Sequence, residues 1–219
     1  MTSTHDRFTE LHDLLQAYEA TGHTFDDTME APGKALASYL RVVAATPQRA
    51  ASAVRELDDL LAVGLFSDEI ADEVDLLPHI EPPSGVGVED CLRVVRHHLE
   101  RFLTKPPADI PSRRPGTVWE WRERFPALAH LMGSYFHQDF SAEYGSHAEA
   151  LDDYLALESP QDHRATAANI DAFLAINRTD DELAEAIRVL GLRVAPPKGV
   201  SLRQWLSDVR GILTHHVAP

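Results

Sequence analysis

The chain has 219 residues, 44% of them apolar, and a formal charge of −15. That size suits one ordinary core or two small ones, and the negative sign makes nucleic acid a poor partner. Its single cysteine, Cys91, excludes an intrachain disulfide and any cysteine-rich zinc site, and reads as a small buried hydrophobe. No apolar run reaches membrane-spanning length, and Met1 to Asp6 is polar, without a signal peptide's apolar stretch, so the reading is of a soluble, cytoplasmic protein.

The elements are expected to be helices throughout, because apolar residues recur at three- and four-residue spacing with few alternating β-branched runs. A first helix presents Phe8, Leu11, Leu14, Leu15 and Tyr18, and a second, led by Pro32, presents Leu36 and Tyr39. Thr46-Pro47 opens a third, with a hydroxyl to hold an orphan amide and a proline whose φ is already helical. It should end near Gly64. A short fourth helix follows Ser67, and a fifth, beyond Pro82-Pro83, carries Cys91, Leu92, Val95 and Leu99 on one face.

The pattern then returns. Phe125, Leu128, Leu131, Met132 and Tyr135 restate the first helix, Leu151 and Tyr154 the second, and Ser159-Pro160 the third, which should end at Asn177. Glu182-Leu183 restates the fourth, and Trp205, Leu206, Val209 and Leu213 the fifth, after Pro196-Pro197. The expected architecture is all-α, a tandem duplication of a roughly five-helix unit over 7–103 and 124–217. Ser146, Thr179 and Ser201 each precede Glu or Gln by three residues, the spacing of a capping box, whereas the aligned positions of the first copy lack that pattern. The second copy is therefore expected to resist local unfolding longer. Between the copies, 104–123 holds Pro106, Pro107, Pro111 and Pro115 and reads as a stiff connector, with Trp119 and Trp121 pinning its end onto neighbouring helices.

The strongest local signature is Tyr135-Phe136-His137-Gln138-Asp139, followed by Phe140 and Tyr144-Gly145. With Gly133, the acidic stretch from Glu149 to Tyr154, and Leu190-Gly191, Pro196-Pro197, Gly199 and Arg203 to Leu206, it resembles the immunity proteins of bacterial contact-dependent growth inhibition systems, over nearly all of the second copy. The first copy looks like a diverged member of the same family: Tyr18 is kept, and Glu19 to Thr24 replaces the His-Gln-Asp element. The resemblance implies a non-enzymatic inhibitor with no cofactor and no metal. It would be bound in the cytoplasm to the toxic C-terminal domain of a delivered effector, and such toxins are often nucleases.

A nuclease carries basic surface to hold phosphates, so carboxylates are the natural complement. The candidate partner-binding residues are Asp68, Glu69, Asp72 and Glu73 in the first copy, and Asp152, Asp153, Asp180 and Asp181 in the second. Acidic residues in a first helical turn also serve the helix dipole, which is the competing account. The motif residues Tyr135, Phe136, His137, Gln138 and Asp139, with Trp205, are read as structural: the aromatics fill the core, and Gln138 and Asp139 satisfy backbone groups at the helix exit. Two other functions compete with the inhibitor. One is an acidic helical adaptor; the other is a metal-dependent hydrolase using His137 and Asp139, which lacks a complete ligand set or an HExxH pattern.

Overall fold

The computed structural model describes residues 7–65, 67–75, 77–105 and 114–216, without the side chain of Glu73. Its elements are helices; among the described residues there is no strand beyond an isolated bridge of Thr24 with Glu81. The chain divides into two compact units, Met1–Glu120 and Trp121–Pro219.

The first unit contains α1 (Thr9–Glu19), α2 (Lys34–Val43), α3 (Pro47–Val63), the one-turn α4 (Ala71–Val74) and α5 (Val88–Thr104). Helix α3 is central and packs on both α1 and α5. The apolar periodicity dictates this: Leu11, Leu14 and Tyr18 of α1 meet Ala53, Leu57 and Leu60 of α3 in one buried cluster, and Cys91, Val95 and Leu99 of α5 complete it. Each large side chain removed from water there contributes roughly 1.5–3 kcal/mol. Burying a tyrosine hydroxyl requires a partner, and each has one: Tyr18 donates to Asp27 (2.6 Å) and Tyr39 to Glu10 (2.7 Å).

The helix starts of this unit draw on distant carboxylates. The first-turn amide of Leu11 donates to Glu56 of α3 (2.7 Å), and the amides of Gly33 and Lys34 donate to Asp27 (2.6 Å) and Asp26 (3.1 Å). Thr46 makes no side-chain cap, contrary to the sequence expectation, because its backbone (φ −142°, ψ 74°) leaves the first-turn amide of Arg49 to the Thr46 carbonyl. Gly64 does close α3 with a left-handed φ of 91°.

Helix α6 (Val118–Arg124) lies in the stretch expected to be a connector, and the boundary between the units falls within it. Trp119 is buried in the first core, stacked on Tyr39 at 6.1 Å, and Trp121 is buried in the second. Pro106, Pro107 and Pro111 lie outside the described residues.

The second unit contains α7 (Pro126–Tyr135), the one-turn α8 (Phe140–Glu143), α9 (His147–Leu157), α10 (Pro160–Ile176), α11 (Asp180–Val189) and α12 (Leu202–His216). Here α10 is central, against α7 and α12. Its helix starts are capped locally. Thr179 with Glu182 forms a full capping box, as does Ser159 with Asp162, a pair the sequence reading passed over because its third residue is Asp. Ser146 and Ser201 each accept a first-turn amide but stop short of a box: Glu149 reaches back to the amide of Gly145, and Gln204 turns to Asp208. Asn177 is not left-handed (φ −101°); its side-chain amide donates to the carbonyl of Phe173 (2.9 Å) instead.

Candidate functional site

The Tyr-Phe-His-Gln-Asp segment spans the C-terminal end of α7 and the turn into α8. A close backbone approach sets this exit: a Cβ on Gly191, whose φ is +111°, would fall 2.9 Å from the Cα of Gly133. Only glycine fits both that space and that angle. The chain after Gly191 then lets the amide of Arg193 donate to the carbonyl of Phe136 (2.9 Å), satisfying one of the acceptors freed as α7 ends.

The five residues divide into two halves. Phe136 is fully buried, stacked with Phe140 (5.8 Å) and edge-on to Trp205 of α12 (5.0 Å). Tyr135 meets Tyr154 edge-to-face (5.2 Å) and donates to Glu158 (3.3 Å); burial and that carboxylate push its phenol up to about 12. The other half faces solvent. His137 accepts the Asp139 amide at Nδ1 (3.2 Å), which leaves the proton on Nε2 for Glu143 (3.1 Å). Gln138 is exposed, and the Asp139 side chain, 65% exposed, caps nothing at the start of α8. Backbone groups at this exit are met by the backbone itself, the Phe136 carbonyl by the Arg193 amide and the Phe140 carbonyl by the Tyr144 amide.

The acidic candidates are spread over different elements. Asp68 and Glu69 precede α4 and Asp72 lies in it; all three are exposed, and Glu69 approaches Arg7 at 3.5 Å. The Glu73 side chain lies outside the described residues. Asp152 is exposed on α9, and its neighbour Asp153 accepts from Tyr144 (2.9 Å), which lifts that phenol to about 12 through burial first and the hydrogen bond second. Tyr144 in turn stacks on Tyr135 (6.5 Å), so Asp153 is the acidic candidate tied to the motif. Asp180 and Asp181 open α11, with Asp180 81% exposed and 3.5 Å from Arg203.

Sequence reasoning missed one hydrogen-bonded chain. Ser134 and His130, one turn apart on α7, meet at 3.3 Å, and His130 Nε2 meets Glu158 at 2.8 Å. Its only signal is the four-residue spacing of two polar residues. The connectivity is that of a serine–histidine–carboxylate relay, but both leading residues stand exposed on a helix, and at the adjoining start of α10 the Ser159 and Asp162 amides are taken by their own capping box. It ties α7 to the end of α9. Among the described residues no three His, Cys, Asp or Glu side chains converge as a metal set, and none of the helices is long and apolar enough to cross a membrane.

Residues 124–213 match the family model of the CdiI immunity protein. The CdiI-like stretch begins where α6 ends and stops within α12, taking in the whole motif and Trp205 but nothing of the first unit. No curated protein and no solved structure matches the chain.

Proposed function

We propose that this chain is an immunity protein that neutralises the toxic C-terminal domain of a contact-dependent growth inhibition effector by stoichiometric binding in the cytoplasm, without turnover or cofactor. The observation that carries the reading is the match of residues 124–213 to CdiI immunity proteins. The net charge of −15 supports a basic toxin, a nuclease foremost, since opposite charge speeds encounter and complements a phosphate-binding surface.

We further propose that the protein is a tandem duplication, with the first unit a diverged copy. Two tertiary interactions at aligned positions support this. Glu56 of α3 accepts the Leu11 amide, and Asn169 of α10 accepts the Leu128 amide (3.3 Å). Asp58 of α3 pairs with Arg96 of α5, and Asp171 of α10 pairs with Arg210 of α12 (3.0 Å). Composition alone does not produce the same donor and acceptor positions twice.

In this reading Tyr135, Phe136 and Trp205 hold the fold. The partner contacts are the exposed carboxylates Asp68, Glu69, Asp72, Asp152, Asp180 and Asp181, half-buried Asp153, and Glu73, whose side chain lies outside the described residues. The test is expression of the C-terminal domain of any large secreted protein found encoded beside this chain, with and without the chain, together with a direct binding measurement between the purified pair. Rescue of growth with a one-to-one complex is expected. A folded, expressed chain that neither binds nor rescues would sink the reading.

A further inference from the structure

The first unit carries a surface whose charge runs against that of the whole chain. A groove of about 510 Å³ lies between Pro32 and Leu40 on one side and the C-terminal half of α5 on the other. Buried Phe102 and half-buried Leu40 contribute its apolar surface. His98 is held in place, because its ring nitrogen Nε2 donates to the carbonyl of Thr28 at 2.5 Å. That contact and the one from Arg101 to the carbonyl of Glu30 (3.4 Å) draw the loop bearing half-exposed Met29 towards α5.

The charge at the rim is positive. Most arginines of this unit are taken up by carboxylates: Arg7 by Asp59, Arg41 by Glu120, Arg49 by Glu10, Arg93 by Glu89 and Arg96 by Asp58. Arg101 and Lys105 differ, as do Arg55 and Lys34 away from the groove. Arg101 and Lys105 line the groove, both are exposed, and among the described residues neither is in an ion pair. Glu100, the acidic residue on the same rim, is held by Arg96 at 3.1 Å, and Glu30 meets Arg101 through its carbonyl and not its carboxylate. A chain with an excess of acid thus keeps two uncompensated cations beside an apolar trough.

We propose that this groove receives an extended segment of a protein partner in which an apolar side chain is flanked by carboxylates. The apolar side chain would rest on Phe102 and Leu40, and the carboxylates would meet Arg101 and Lys105. Such a ligand removes apolar area from water while pairing charges at an exposed rim, where each pair adds specificity more than affinity. A basic segment is disfavoured by the same two cations. The inference does not rest on the toxin reading, which concerns a partner of opposite charge.

The experiment is a nuclear magnetic resonance titration of the full isotopically labelled chain with two synthetic hexapeptides sharing one apolar centre, DELFED and KRLFRK. Saturable shifts confined to Leu40 and the 97–105 segment are expected with the acidic peptide. Binding should weaken about tenfold or more in the Arg101→Glu, Lys105→Glu double variant, a loss set by reversed rim charge. Both positions are exposed, so the melting temperature should hold. Replacing the central Leu-Phe by Ser-Ser should abolish the shifts. Equal response to the basic peptide, no response to either, or full binding by the charge-reversed variant would each overturn the proposal.

Discussion

Replacing Arg41 by methionine isolates the most consequential polar interaction in the first unit. Glu120 is completely buried; Arg41 Nε and Nη2 each donate to one of its oxygens at 2.9 Å, and the Gly116 amide adds a third bond at 2.7 Å. Methionine keeps much of the aliphatic stem but leaves that carboxylate with a single donor. Stranding a buried charge costs about 3–5 kcal/mol, and the lower end applies because the Arg41 side chain is 21% exposed and water can reach its place. Arg41→Met is therefore expected to cost about 3 kcal/mol. Adding Glu120→Met removes the stranded charge, so the double variant should be more stable than Arg41→Met alone, by about 1–2 kcal/mol after the orphaned Gly116 amide is counted. Segment-resolved hydrogen exchange in graded urea reads this locally, on α1 to α5, without assuming that both units unfold together. A cost under 1 kcal/mol for Arg41→Met, or strictly additive single and double variants, would refute the reasoning.

Gly191→Ala should destabilise the second unit by roughly 2–3 kcal/mol, through a left-handed φ and a Cβ 2.9 Å from Gly133. Gly133→Ala, whose Cβ would meet nothing nearer than 4.0 Å, should instead be neutral or stabilise α7 by up to about 1 kcal/mol, so thermal melts moving in the same direction would contradict the packing. Ser159→Ala and Thr179→Ala should each cost about 1 kcal/mol, while Thr46→Ala, which loses no cap bond, should change the urea midpoint little. Asp139→Ala should leave stability within about 0.5 kcal/mol of the parent, since that carboxylate is exposed and caps nothing; a large drop in melting temperature would restore its structural role. Burial raises the carboxyl pKa of Asp27, and of Asp13 and Glu56, above their ordinary values. The folded state then binds protons more tightly than the unfolded one. Their contribution is present in full below the ordinary carboxylate range and is lost as pH rises through the raised values. The first unit should accordingly gain stability on acidification from pH 7, and Asp27→Asn should flatten that slope in urea titrations at stepped pH.

Helical periodicity, the repeated apolar positions and the hydroxyl–proline start of α10 were legible because they depend on neighbours in the chain. An i, i+3, i+4 stripe must face a core wherever that core lies, so Leu57 and Ile170 declare their burial locally. What tertiary structure decided is where distant partners meet. Nothing near Leu11 announces that Glu56 will hold its amide, and nothing near Gly191 announces the approach of Gly133; both are set by helix packing across tens of residues. The five-residue motif shows the same division. Its aromatic half was readable as core, whereas the exposure of Gln138 and Asp139, and the Arg193 amide that meets the Phe136 carbonyl, appear only in the folded chain. Residue spacing fixes which side of a helix is apolar, but a polar side chain's role depends on which donors and acceptors the folded chain brings within reach.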